Sequence, residues 1–116
     1  MSDTLKVCGL TIERGTKLRT YLLVPDTNVK IPLTIINGDQ DGPTLLIPAG
    51  IHGGEYPGIA AAMELGRDIE PEHVAGCLIM MHPVNIQGFW ARREMIVPED
   101  GKNLNRVFPG DPMGTL

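Results

Sequence analysis

Short runs of aliphatic and β-branched residues, separated by polar breaks, fill the first part of the chain. Gly9–Ile12, Leu18–Val24 and Ile31–Asn37 each alternate or cluster apolar side chains over a strand's length. They predict strands joined by turns in a β-rich leading segment, residues 1–37. Asn37–Pro43 concentrates Asn, Gly, Asp and Pro, so a turn is expected there, feeding Thr44–Pro48, a compact apolar run of the kind found in buried strands. The pattern then changes. Pro57 suits a first helical turn, and Ile59–Arg67 is rich in helix formers up to a stop near Pro71. Cys77–Met81 reads as a second buried strand, so strand, helix and strand make a βαβ unit with a parallel pair. From Pro83 to Gly110 the period is lost among Pro and Gly, and either a long functional loop or two short strands is expected.

Length and charge narrow the classes. A chain of 116 residues, 42% hydrophobic, is the size of one domain with a modest core. Fourteen acids against ten bases give a net charge of -4 without a basic patch, which argues against a nucleic-acid partner. Cys8 and Cys77 lack CxxC spacing and lie among apolar residues, so two buried, reduced thiols are expected. No apolar run nears the ~18 residues that span a bilayer, and the first residues lack a basic-then-apolar leader. The expected location is the cytoplasm, with no membrane partner; a homo-oligomer is left open.

Two polar clusters carry the candidate chemistry. In Gly50–Glu55, His52 and Glu55 stand three residues apart among glycines, and both can reach one divalent cation. Zinc hydrolases commonly use three protein ligands and leave the fourth position to water, whose pKa falls toward ~7. The competing reading makes His52 a hydrogen-bonded loop residue and Glu55 an acid favoured at a helix N-terminus. In Asp100–Arg106, Asn105 and Arg106 offer an amide and a planar fork suited to gripping a carboxylate. Arg92 or Arg93 can supply charge to an oxyanion. These arginines can equally be paired with Glu94, Glu99 and Asp100, and Asp100-Gly101 can be an ordinary turn. His82 reads as a satisfied loop histidine and His73 as a surface residue, while Phe89 and Trp90 either line a pocket or anchor the core.

Together, Gly50–Gly58 and Asp100–Gly110 resemble the succinylglutamate desuccinylase/aspartoacylase family of zinc carboxypeptidase-like hydrolases. The resemblance runs from about Thr44 to Gly110. It implies His52 and Glu55 as ligands to one Zn2+, Asn105 and Arg106 as the clamp on a substrate carboxylate, and Arg92, in Phe89-Trp90-Ala91-Arg92, as the arginine that polarises the scissile carbonyl. The implied fold is a three-layer α/β/α sandwich around a mixed, partly parallel sheet, usually followed by a smaller β domain. The implied activity is hydrolysis of the amide bond of a small-molecule N-acyl amino acid. In the family a third ligand, a histidine, and a catalytic glutamate follow further downstream, so residues 1–116 are expected to be the N-terminal portion of a catalytic domain, with little turnover alone. A carboxypeptidase acting on peptides, or a non-catalytic module whose sheet edge is covered by a partner, are the alternatives.

Overall fold

The computed structural model describes residues 4–115. Six strands occur among them: β1 (Thr4–Val7), β2 (Leu10–Glu13), β3 (Thr16–Leu23), β4 (Lys30–Asn37), β5 (Gln40–Pro48) and β6 (Ala75–Met81). Helix α1 (Tyr56–Asp68) links β5 to β6, and a short α2 (Ile86–Trp90) follows β6. The strands β1 and β2 form a hairpin whose turn residues, Cys8 and Gly9, have φ of 47° and 80°. Positive φ at both central positions gives the turn the twist a two-residue hairpin needs. Cys8 is therefore exposed at the hairpin tip, correcting the expectation of a buried thiol.

The other four strands form one mixed sheet in the order β3-β4-β6-β5, with β5 and β6 parallel and the remaining pairs antiparallel. This is the α/β class with a mixed, partly parallel sheet. Alternation along β4 decides what packs where. Leu33 and Ile35 point to one face, where they form the core with Ile12 of the hairpin and with Ile79 and Met81 of β6. Thr34 points to the opposite face, against Gly66 of α1, whose buried residues are Ile59, Ala62 and Gly66. Among the described residues the sheet thus carries a helix on one face and a hairpin on the other.

Helix α1 starts where Pro57 fixes φ in the first turn. Its C-terminal carbonyls are met by Lys17 of β3, whose ammonium donates to the carbonyls of Arg67 and Ile69 and to the carboxylate of Glu70, all within 3.0 Å. A cation there satisfies orphan carbonyls and complements the helix dipole.

Two sequence expectations need correcting. The apolar run in β5 is not buried, because β6 inserts between β4 and β5 and leaves β5 at an edge; Leu45 and Leu46 remain 55% and 50% exposed. The turn formers 41–43 lie inside β5 as a register shift between Gln40 and Thr44, not in a separate loop.

His82 closes β6 on the α1 face. It is buried, its Nε2 lies 2.9 Å from Thr34 Oγ1, and its Nδ1 has no partner. Burial holds its pKa below the ordinary 6.5, with the Arg19 charge adding to the effect against an opposing backbone hydrogen bond. Below pH 6.5 the unfolded chain binds this proton more fully than the folded chain does. The stability present above that pH is therefore lost progressively as pH falls toward the folded pKa. Urea midpoints taken from about pH 7 to about pH 5 should fall more steeply in the native protein than in His82→Gln. Parallel slopes would remove His82 from the acid sensitivity.

Candidate metal and substrate site

The site collects beyond the carboxyl ends of β5 and β6, where ligands gather in sheets with parallel strands. Three backbone bonds tie the exits of these strands together: Ala49 N–H to Met81 O, Val84 N–H to Ala49 O and Asn85 N–H to Gly50 O, each about 3.0 Å. Asn85 then caps α2. Its buried side chain accepts from Gly88 N–H at 2.9 Å and donates to the carbonyl of Ile96 at 3.0 Å.

Residues Gly50–Glu55 form an irregular loop between β5 and α1. Gly53 is pressed onto α2 so closely that a Cβ there would lie 2.5 Å from Phe89 N and 2.6 Å from the Gly88 carbonyl carbon. Glu55 occupies the N-cap position of α1 but makes no capping hydrogen bond. Its carboxylate turns back instead, placing Oε1 3.3 Å from His52 Nδ1. The imidazole and the carboxylate read from the sequence as a ligand pair thus converge.

The second cluster meets the first directly. Asp100 accepts the Lys102 N–H, so Asp100-Gly101 is indeed a turn. Hydrogen bonds to Thr115 and to that N–H hold the exposed Asp100 carboxyl below its usual pKa. This turn delivers Asn103, whose Oδ1 lies 2.9 Å from His52 Nε2 and also accepts the Asn105 N–H at 3.0 Å. The second bond decides the first. An atom that accepts a backbone N–H is the amide oxygen, so the His52 nitrogen facing it must be the donor.

His52 therefore carries its proton on Nε2 and, when neutral, directs the Nδ1 lone pair at Glu55. Two acceptors 3.3 Å apart repel each other unless a cation or a second proton lies between them. A ring nitrogen held by an outer acceptor while the other faces a carboxylate is the arrangement of a metal-ligating histidine. The donor set accordingly fits two ligands of a zinc ion; among the described residues no cluster of three or more His, Cys, Asp or Glu side chains is gathered.

The sequence does not single out Asn103, because in Asn103-Leu104-Asn105-Arg106 the amide and the planar fork of the last two residues carry the more specific chemistry. Its signal is positional, an Asn that caps the 3-10 turn Leu104–Arg106 and stands two residues before Asn105. That turn exposes Asn105 and Arg106 next to His52's partner.

Arg92 follows the C-cap residue of α2, Ala91, with φ of 58°, a left-handed conformation that costs a non-glycine residue about 1 kcal/mol. The reversal sends the chain back so that the Glu94 carbonyl receives the Gly54 N–H at 3.2 Å, which seats the arginine segment on the ligand loop. The side chains of Arg92, Arg93 and Arg106 make no ion pair with Glu94, Glu99 or Asp100 among the described residues. His73 is exposed and outside the site.

Comparison with known proteins bears on the family and the fold. Residues 41–116 match the family model described as the succinylglutamate desuccinylase/aspartoacylase catalytic domain. An N-alpha-acetyl-L-2,4-diaminobutyric acid deacetylase of Halomonas elongata is 42% identical over 88 residues, 76% of this chain and 25% of the relative. A succinylglutamate desuccinylase/aspartoacylase structure from Rhodobacter sphaeroides superposes with a TM-score of 0.76 at 38% identity, over 88% of this chain and 32% of that one. The product-bound ectoine utilization protein EutE of Ruegeria pomeroyi gives 0.70 at 39% identity, over 85% and 30%. The chain spans between a quarter and a third of these relatives' lengths.

Proposed function

The chain belongs to the succinylglutamate desuccinylase/aspartoacylase catalytic family, and from that membership we propose that it carries the His-Glu half of a zinc site in a deacylase that hydrolyses the amide bond of an N-acyl amino acid. The observation that carries this reading is the convergence of His52 Nδ1 and Glu55 Oε1 with the opposite ring nitrogen held by Asn103.

Each side chain has a role that follows from its chemistry. Asn103 keeps the His52 proton on Nε2 and so keeps Nδ1 available. Glu55 adds a charged oxygen ligand. A bound zinc ion would supply Lewis-acid polarisation and lower the pKa of water. Arg106 and Asn105 grip the substrate carboxylate, which orients the amide. Arg92, held left-handed and without an ion-pair partner, presents its guanidinium to the oxyanion formed at the carbonyl, where a well-placed donor is worth about a hundredfold to a thousandfold in rate. Among the described residues no side chain is assigned as third ligand or as general base. A small N-acyl amino acid as substrate and the cytoplasm as location complete the reading; no helix among the described residues is long and apolar enough to cross a membrane.

Zinc titration of the chain by calorimetry tests the ligand pair. Two ligands should give binding weaker than about micromolar that disappears in His52→Ala and in Glu55→Ala. Binding that survives both substitutions would place the metal elsewhere. Submicromolar binding would reveal a third ligand within these 116 residues.

A further inference from the structure

Asn85 is 4% exposed, and its backbone and side-chain donors and acceptors are all used. Its backbone N–H donates to the Gly50 carbonyl at 3.0 Å, at the head of the ligand loop and two residues before His52. Its carbonyl accepts the Phe89 N–H at 3.1 Å and its side-chain oxygen the Gly88 N–H at 2.9 Å, which together start α2. Its side-chain nitrogen leaves the helix altogether and donates to the Ile96 carbonyl at 3.0 Å. The loop that carries Arg92 thus begins and ends on one side chain.

The nitrogen is the informative half of that amide. Capping a helix needs only an oxygen, which Ser, Thr and Asp supply as Asn does. Among these residues only Asn adds an amide donor. The amide fits one way round, because Gly88 presents an N–H and Ile96 a carbonyl. Glycine at 88 makes the room, since a Cβ there would stand 2.7 Å from Asn85 Nδ2.

The residues after Ile96 give this bond its reach. Val97, 6% exposed, closes the turn onto the second polar cluster: its N–H donates to the Lys102 carbonyl at 2.8 Å and its carbonyl accepts the Gly101 N–H at 2.7 Å. Lys102 immediately precedes Asn103, whose Oδ1 holds His52 Nε2. Two paths therefore run from Asn85 to His52. One is the backbone bond to Gly50 on the ligand loop, and the other passes through Ile96, Val97 and Lys102 to Asn103.

We infer that Asn85 is a positioning residue: by holding the Ile96 carbonyl, its side-chain nitrogen sets the second polar cluster against the ligand loop so that Asn103 reaches His52. The consequence for metal binding rests on the proposed zinc site, but the register of the two clusters does not.

Asn85→Asp keeps the size of the side chain and the oxygen that caps α2, and turns an oxygen instead of a donor on the Ile96 carbonyl. Asn85→Ser keeps a capping oxygen and removes the donor without burying a charge. Below the unfolding transition of each variant, the nitrogen chemical shifts of the His52 ring should change from a single form protonated on Nε2 to a mixture of tautomers. Zinc affinity should fall by up to about tenfold. A capping or packing role alone would leave the ring as it is in the native chain. Asn103→Leu removes the acceptor itself, so adding Asn85→Ser to it should cost no further zinc affinity, because residues that act through one another are not additive. In the native chain a side-chain N–H of Asn85 should exchange slowly with deuterium, a measurement that needs no variant. A single Nε2 tautomer retained in the Asn85 variants, additive losses in the double variant, or rapid exchange of the Asn85 amide would overturn the inference. A native chain that binds no zinc would remove the zinc reading and leave the ring shifts and the exchange to decide this one.

Discussion

Gly53→Ala is expected to unseat the ligand loop and to abolish zinc binding. The added Cβ would stand 2.5 Å from a backbone nitrogen and 2.6 Å from a backbone carbon of α2, closer than such atoms approach, and neither belongs to a side chain that can turn aside. Either the loop lifts from α2 or the helix moves. Because Asn85 pins α2 to Gly50 and Ile96, moving the helix would break those bonds too. Overpacking of this kind costs about 1–3 kcal/mol or more. The loss should appear as a lower urea midpoint with an unchanged slope. Gly58→Ala is the control. It lies in α1 with nothing within 4 Å of its added Cβ, so the better helix propensity should leave stability unchanged or raise it by up to about 1 kcal/mol. Native-like stability and zinc binding in Gly53→Ala would mean that the contact with α2 does not position the loop.

This contact marks the boundary of what the chain discloses before it folds. Strands with a two-residue period and the Ala-rich helix α1 were legible, because local propensity and burial agree there. The short helix α2 was not. Five residues that include Gly88 carry too little periodicity to separate from a loop, and the helix exists because Asn85 caps it and the ligand loop presses on it. The exposure of β5 was equally hidden, since an apolar run looks the same at a sheet's edge as at its centre. Only the insertion of β6 beside β4 decides it.

The chemistry divides the same way. His52 and Glu55 were legible as a pair because glycines flank them at ligand spacing, and their convergence at 3.3 Å follows from local geometry. Asn103 was not, because its part depends on a contact across 51 residues of sequence. A loop histidine such as His82 reads as satisfied, yet only its Nε2 is: nothing in a single sequence tells how many of a ring's two nitrogens find partners. The left-handed backbone of Arg92 distinguishes it from Arg93, a difference that two adjacent arginines cannot express as letters.

Substitution at Asn103 separates positioning from mere packing. Asn103→Leu keeps the branching of the side chain but offers His52 Nε2 no acceptor and leaves the Asn105 N–H without its partner. The ring should then lose its fixed tautomer, and zinc affinity should fall about tenfold to a hundredfold, the usual cost of losing an outer hydrogen bond to a ligating histidine. Asn103→Asp retains an acceptor and adds charge, so it should hold or raise the affinity, since a carboxylate on the far nitrogen makes the ligand more basic. The nitrogen chemical shifts of the His52 ring provide a readout that folding alone would not move. In the native chain and in Asn103→Asp they should report a proton on Nε2, and in Asn103→Leu a mixture of the two tautomers. If Asn103→Leu kept both the single tautomer and the zinc affinity, the bond between the two polar clusters would be incidental, and with it the reason for reading them as one site.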